Sequence, residues 1–264
     1  MAGTPELSIV IPARNATATL PQCLAALLNP ALPPAAIRPM GPIRPISYEI
    51  IVVDDASTDE TAAVAEAGGA RVIRLADQSG PAAARNAGVE AARAETVLFL
   101  DSDVVAHNDV PVRALATLRE HPEIAAVFGS YDDAPPAPNF FSQYKNLLHH
   151  YVHQTSSEEA GTFWCGCGAI RRSVFLEVGG LDAARYRRPQ IEDVELGARL
   201  VRRGVRIRLD KAMQVTHLKR WTLGGLLRSD ICDRALPWTE LLRRGELRGG
   251  DLNLKPAHRL SAGF

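Results

Sequence analysis

Two acidic clusters stand where short apolar runs stop. Asp54-Asp55-Ala56-Ser57-Thr58-Asp59 follows Glu49-Ile50-Ile51-Val52-Val53, and Asp101-Ser102-Asp103 follows Thr96-Val97-Leu98-Phe99-Leu100. Such runs read as buried strands of a parallel sheet, and ligands of open α/β sheets bind beyond the carboxyl ends of the strands. Carboxylates gathered there are costly to bury unless a cation, a sugar hydroxyl or a base N–H meets them. The chemistry they predict is a nucleotide–metal site. On an extended backbone, residues i and i+2 point to one side. Asp101 and Asp103 are therefore expected to face one ligand, such as Mg2+ or Mn2+ bridging a diphosphate. Asp55, beside Asp54, is expected to accept from a base imide or ribose hydroxyls, while Ser57 and Asp59 read as N-caps of the next helix.

Three further groups carry chemistry. Gly80 to Gly88 is a glycine-bounded helix start, in which Gly88 allows close helix–sheet approach and Arg85 is expected to reach a base or phosphate. It lacks the spacing of a dinucleotide fingerprint. Glu192-Asp193 opens a helix whose dipole favours the ionised carboxylate that a general base needs, with Glu195 and Arg199 as an i,i+4 pair. His217 ends a strand-like run and is a natural further metal ligand if that strand lies beside Asp103. Cys165-Gly166-Cys167 is too tight for usual zinc spacings and reads as small packed residues.

Alternating elements must position these groups. Strands are expected over residues 7–12, 49–53, 71–75, 96–100 and 124–130, with helices over 17–28, 59–67, 82–92 and 110–120. Repeated β-α units imply right-handed crossovers and a mostly parallel sheet. Residues 30–47 hold six prolines and read as a long loop. Beyond 131 the pattern is less regular: an aromatic-rich helix over 140–153, a strand over 163–170, a helix over 191–203, strands over 205–209 and 213–217, then amphipathic helices over 221–234 and 236–244.

Composition sets outer bounds. The 264 residues suffice for one large α/β domain or two small ones. Thirty basic residues balance thirty acidic ones, so no global field favours nucleic acid or anionic lipid. Residues 199–259 are locally rich in Arg and Lys, as a solvated face or one meeting an anionic acceptor or headgroups. No apolar stretch reaches a membrane span, and the expected location is cytoplasmic, at the inner face of the membrane if the acceptor is lipid-linked.

Taken in order, these elements resemble a family 2 glycosyltransferase of the GT-A fold. The matching stretches are Ile9-Val10-Ile11-Pro12-Ala13-Arg14-Asn15, Val53 to Asp59, Gly80 to Gly88, Phe99 to Asp103, Gly179-Gly180-Leu181-Asp182 and Glu192 to Leu196. The resemblance implies a Rossmann-like, mostly parallel sheet flanked by helices, with a smaller mixed acceptor-side region. It divides the chain into a nucleotide-sugar half (1–131), an acceptor-binding and catalytic half (132–220) and a C-terminal helical extension (221–264). It also implies inverting transfer from a nucleoside diphosphate sugar, UDP by family habit, with a divalent metal.

Carried over by position, Pro12, Ala13, Arg14 and Asn15 line the first nucleotide loop, with Asp54, Asp55 and Arg85. Asp101 and Ser102 serve the ribose, Asp103 the metal with His217, and Asp193 the base role with Glu192 beside it. Trp164, Gly166, Gly180 and Asp182 fall on the acceptor side. The chain departs at Ala16, where many relatives carry Glu, and in the long 30–47 loop. The run from Val215 to Thr222 is similar to bacterial relatives that continue into membrane segments, implying a lipid-linked or cell-envelope acceptor and peripheral membrane contact through the C-terminal segment. Two rivals are weighed. A sugar-1-phosphate nucleotidyltransferase needs a Gly-rich basic loop after the first strand, which Pro12-Ala13-Arg14-Asn15 does not supply. A catalytically silent binding subunit is disfavoured by the intact Asp101, Asp103, Glu192 and Asp193.

Overall fold

In a computed structural model describing residues 3–28 and 46–247, the apolar runs form strands that alternate their side chains between two cores. Strands β1 (Leu7–Ala13), β2 (Tyr48–Asp54), β3 (Arg71–Arg74) and β4 (Thr96–Leu100) lie side by side in the order β3-β2-β1-β4, all parallel. Ile9, Ile11, Val52 and Leu98 enter one core, while Val10, Ile51, Val53 and Phe99 enter the other. Both faces are therefore covered, as a parallel sheet requires. Helices α1 (Leu20–Leu28), α2 (Thr61–Ala67) and α3 (Pro81–Ala91) connect these strands. The expected stop of α2 at Gly68-Gly69 is present, with Gly69 at φ 72° in the left-handed region. Helix α3 starts with Pro81 at its first turn, where the missing N–H is no loss. At Gly88 it presses so closely on β1 that a β-carbon would overlap Val10 Cγ1.

Beyond β4 the sheet becomes mixed. The chain continues through β5 (Val104–Ala106), α4 (Val110–Glu120), β6 (Ile124–Tyr131), α5 (Phe140–Thr155), β7 (Glu159–Ala160), β8 (Cys167–Arg171), α6 (Arg172–Glu177), α7 (Glu192–Arg202) and β9 (Arg206–His217). Strand β8 inserts between β4 and β6, antiparallel to both, and β9 pairs parallel with β6 and antiparallel with β5 and β7. The two short strands expected over 205–217 are one. Pairing with β6 jumps from Phe128–Leu209 to Ser130–Gln214, and Gly129, where a β-carbon would strike the Met213 carbonyl, lets the bulge close. The short β5 and α6 have too little periodicity to be read from sequence.

Helix α8 (Leu223–Arg228), a π-helical turn (Ser229–Ala235) and α9 (Leu236–Arg243) complete the described chain. The Pro-rich loop lies outside the described residues except at its end, as does the chain beyond Leu247.

Candidate active site

Asp101 and Asp103 leave the end of β4 in a tight turn, closed by the Val104 N–H donating to the Asp101 carbonyl at 3.3 Å. The extended backbone expected for this element is absent, because the chain must reverse here to lay β5 against β9. The two carboxylates consequently serve different partners. Asp101 Oδ1 accepts from Arg85 at 2.6 Å, whereas Asp103 Oδ2 lies 3.4 Å from His217 Nε2. Ser102 is half-buried at the crest of the turn.

Arg85 is the hub. Buried on α3, it donates through Nη2 to Asp101 and through Nη1 to Glu192 Oε1 at 3.0 Å. Burial works to lower its pKa, but the carboxylates around it (Asp101, Glu192 and Asp193) outweigh that and raise it. The other oxygen of Glu192 accepts from the Gln190 N–H at 2.9 Å. A cation and two acids distant in sequence thus fix β4, α3 and the start of α7 to one another.

Asp193, next in the first turn of α7, is half-buried, and accepts from the Cys165 N–H at 3.1 Å and the Val194 N–H at 2.8 Å. Its pKa is raised to about 6, first by desolvation and then by the neighbouring Glu192 charge, against the opposing pull of Arg85. A carboxylate poised there is ionised at neutral pH yet basic enough to take a proton. Cys165 and Cys167 are free, buried and shifted upward by burial, which makes them inert packing residues.

His217 sits at the end of β9. Its Nδ1 faces Asn146 Oδ1 at 2.7 Å, which orients the ring with Nε2 toward Asp103. The imidazole stacks on Tyr131, with centroids 4.5 Å apart and planes 7° apart. Burial raises the Asp103 pKa, but His217 and Lys219 outweigh it and hold the carboxyl below the usual range. The carboxylate oxygen suits Mn2+ or Mg2+, and the oriented imidazole favours the transition-metal ion of the two. Among the described residues no group of three or more such side chains gathers, so a cation there would take its remaining ligands from phosphate and water, as Mg2+ commonly does.

Sequence reading missed the groups that crowd this pair. Lys219 and Lys145 lie over Trp221, 4.3 Å and 5.9 Å from its ring centroid, and Trp221 lies 6.5 Å from the His217 ring. Lys145 is paired with Asp230, and Arg234 donates to His149 at 2.8 Å. Lys145, Lys219 and Arg234 are therefore close enough to repel one another, and Asp230 is paired with the first of them. A signal was present: Ser142, Asn146, His149 and His153 recur at helical spacing in 140–155 and mark a polar helix face.

The first nucleotide loop is closely tied down. Asn15 and Ala56 adopt left-handed φ angles of 49° and 52° where their loops meet. Asn15 donates its N–H to Ser57 Oγ at 3.0 Å and accepts from the Thr58 N–H at 2.9 Å. Pro12 is half-buried, Ala13 is buried, and Arg14 is exposed to solvent. Asp54 accepts from the Ser57 N–H at 3.2 Å. Both oxygens of buried Asp55 accept backbone N–H bonds from Ser79 (2.6 Å) and Gly80 (2.9 Å), the residues leading into α3. Neither expected N-cap holds the cap position of α2, which Glu60 takes without a side-chain bond: Asp59, one residue earlier, accepts from the Thr61 N–H, and Ser57 bonds to Asn15.

On the expected acceptor side, Trp164 is half-buried and meets Tyr131 edge-on at 4.9 Å. Gly166 leaves room for that indole, and its carbonyl accepts from the Asp101 N–H. Gly180 and Asp182 belong to a turn held by Asn86, which donates to the Leu181 carbonyl and accepts its N–H. Asp182 accepts from the Arg185 N–H. Trp164 and Gly166 thus adjoin the acids and His217, whereas Gly180 is held from α7 by Arg199, which donates to its carbonyl at 2.8 Å, and Asp182 stays within the turn.

The glycosyl transferase family 2 model matches residues 8–179, more than half of the chain. The poly-beta-1,6-N-acetyl-D-glucosamine synthase of Staphylococcus aureus is 26% identical over 196 residues, covering 69% of this chain and 46% of that protein. The chain spans only 15% to 46% of the first curated relatives it matches. Among solved structures, the mannosyltransferase PcManGT of Pyrobaculum calidifontis, in complex with GDP-Man and Mn2+, superposes with a TM-score of 0.62 at 17% identity. That match covers 86% of this chain and 60% of the other. S. aureus TarS 1-349 in complex with UDP-GlcNAc gives 0.58 at 19% identity, over 82% and 59%. These likenesses establish the GT-A fold. The chain belongs to glycosyl transferase family 2.

Proposed function

We propose that this chain transfers a sugar, with inversion, from a nucleoside diphosphate sugar to an acceptor hydroxyl of a cell-envelope or lipid-linked glycan. The observation that carries the reading is the buried Arg85 bridge, which joins the Asp101 turn to Glu192, 107 positions from Arg85, beside Asp193. It sets a donor-side acid turn and a poised base on one scaffold.

Asp193 takes the proton from the acceptor hydroxyl, and its two backbone N–H partners keep the carboxylate oriented. Asp103 and His217 would hold a divalent cation, which when bound would supply charge neutralisation to the departing diphosphate. Lys219, Lys145 and Arg234 add positive charge on the same side, where a leaving diphosphate needs it. UDP is the expected donor nucleotide, supported by the neighbour bound to UDP-GlcNAc; the glycan acceptor is supported by the polysaccharide synthase relative.

The test is nucleoside diphosphate release from a panel of sugar nucleotides with purified chain and a glycan acceptor. Turnover is expected with one donor, abolished by EDTA and restored by Mn2+ or Mg2+. Asp193→Asn is expected to lower kcat by ~10²–10⁴-fold while donor binding persists. Full turnover in Asp193→Asn, or indifference to chelation, overturns the reading.

A further inference from the structure

Helix α5 is built inside out. Its buried positions are Ser142, Lys145, Asn146, Val152 and His153, all but one polar. Its outward positions include Phe140, 72% exposed, with Tyr144, Leu147, Leu148 and Tyr151. The spacing of those five places them on one stripe, opposite the buried residues. The inward polarity has a partner in His217 and Asp230. The outward apolarity has none in the described chain.

The C-terminal helices repeat the pattern. Helix α8 buries no residue, and Leu223, Leu227, Ile231 and Leu236 are exposed along α8, the π-helical turn and α9. Of the twelve large hydrophobic residues exposed among the described residues, ten lie on α5 or on this segment. The two are neighbours, joined by the Lys145–Asp230 and Arg234–His149 contacts. So large a share of the exposed apolar side chains on adjacent helices marks an interaction surface.

Charge identifies what covers it. Residues 140–155 contain no Asp or Glu, and residues 211–229 contain Lys211, Lys219, Arg220 and Arg228 with no acid. The acids that follow are each paired: Asp230 with Lys145, Asp233 with Arg188, and Glu240 with Arg243 and Arg244. Lys219, Arg220 and Arg228 are exposed beside the Leu223 and Leu227 stripe. A second copy of the chain would bring like charges together, since a two-fold interface uses the same patch twice. An anionic lipid surface meets both features: acyl boundary for the leucines, headgroup level for the Phe and Tyr rings, and negative charge for the cations. No helix among the described residues is long and apolar enough to cross a membrane, so this is contact in the interface plane. We propose that the outer faces of α5 and the α8–α9 segment seat this protein on an anionic bilayer. Through the inner face of the same helix, Asn146 and His217 then lie close to that surface.

The experiment is co-sedimentation of the purified chain with phosphatidylcholine vesicles, with and without phosphatidylglycerol. The chain is expected to pellet with the anionic vesicles and to be released by salt. Tyr144→Ser/Leu148→Ser is expected to abolish pelleting. Arg220→Ala/Arg228→Ala is expected to weaken it roughly tenfold or more, and Leu176→Ser, an exposed leucine elsewhere on the surface, to leave it unchanged. Thermal melts and circular dichroism establish that each variant is folded. Three outcomes overturn the proposal: wild type stays in the supernatant; the stripe variant pellets like wild type; or wild type forms a dimer that the stripe variant dissolves, without binding vesicles. None of these readouts requires sugar transfer, so they stand or fall separately from the proposed activity.

Discussion

Helices α1 and α5 treat water in opposite ways. Helix α1 buries Leu20, Cys23, Leu24 and Leu27, as a helix packed on a sheet should. Helix α5 buries its polar residues and shows solvent its aromatic and aliphatic ones. The same contrast separates the regions to which they belong. Before Tyr131, the acids of the first loops are satisfied internally: Asp54, Asp55 and Asp59 all accept backbone N–H groups. After Tyr131, buried polar atoms at Asn146, His149, His153, Tyr186, Trp221 and Trp238 lack a hydrogen-bond partner among the described residues, against only Arg85 Nε and Asp109 Oδ1 before it. Polarity in the first region holds a frame. In the second, more of it is buried without a partner.

The strongest way to break this comparison is Arg85→Ala, because Arg85 is the first-region cation on which the second region's Glu192 depends. Removing it leaves buried carboxylates uncompensated, and a loss of about 3–5 kcal/mol is expected in denaturant unfolding. A loss below about 1 kcal/mol would place the bridge at the protein surface in energetic terms. Next, Asn146→Ala asks whether the inner face of α5 works through His217 or merely packs. The expected outcome is a ~10–100-fold rise in the metal concentration needed for half-maximal turnover, with little change in donor affinity at saturating metal. A fall in Tm with unchanged metal response would assign Asn146 to the frame.

The pH profile sharpens the comparison further. Because the Asp193 pKa is raised to about 6 by burial and Glu192, the base is lost as pH falls through that value. Turnover is expected to drop roughly tenfold per pH unit below it and to be flat above. The stability effect has the opposite sense: a carboxylate with a raised folded pKa opposes folding above that pH and ceases to do so once protonated in both states. The smallest effect belongs to the frame. Ala56→Gly relieves a left-handed φ of 52°. The strain relieved, ~1–2 kcal/mol, exceeds the ~0.5–1 kcal/mol of chain entropy that glycine loses, so a gain of up to about 1 kcal/mol in unfolding free energy is expected with unaltered turnover.

The first region was largely legible because its strands are continuous apolar runs and its turns carry glycine, proline and aspartate. β1, β2 and β4, the stop at Gly68-Gly69 and the close approach at Gly88 all follow from local patterns. The second region was not, because its order is non-local. Strand β8 enters antiparallel between β4 and β6, and no periodicity announces which neighbours a strand will find. The turn at Asp101–Asp103 looked extended because a short β5 carries too few residues to signal the reversal. The site was legible as a set of acids and one histidine, but not as pairs. That Arg85 joins Asp101 and Glu192, or that Asn146 orients His217, depends on contacts spanning 16 to 107 positions.

The packing at position 88 carries a consequence for variation. Arg85 and Gly88 lie within one turn of α3, and the glycine sits flush against Val10 of the central strand. Any larger residue there must lever the helix outward, drawing the guanidinium from Asp101 and Glu192 although nothing at position 88 touches either acid. A substitution in this hidden seam would look like an active-site lesion in an assay and like a surface-neutral change in a list of contacts.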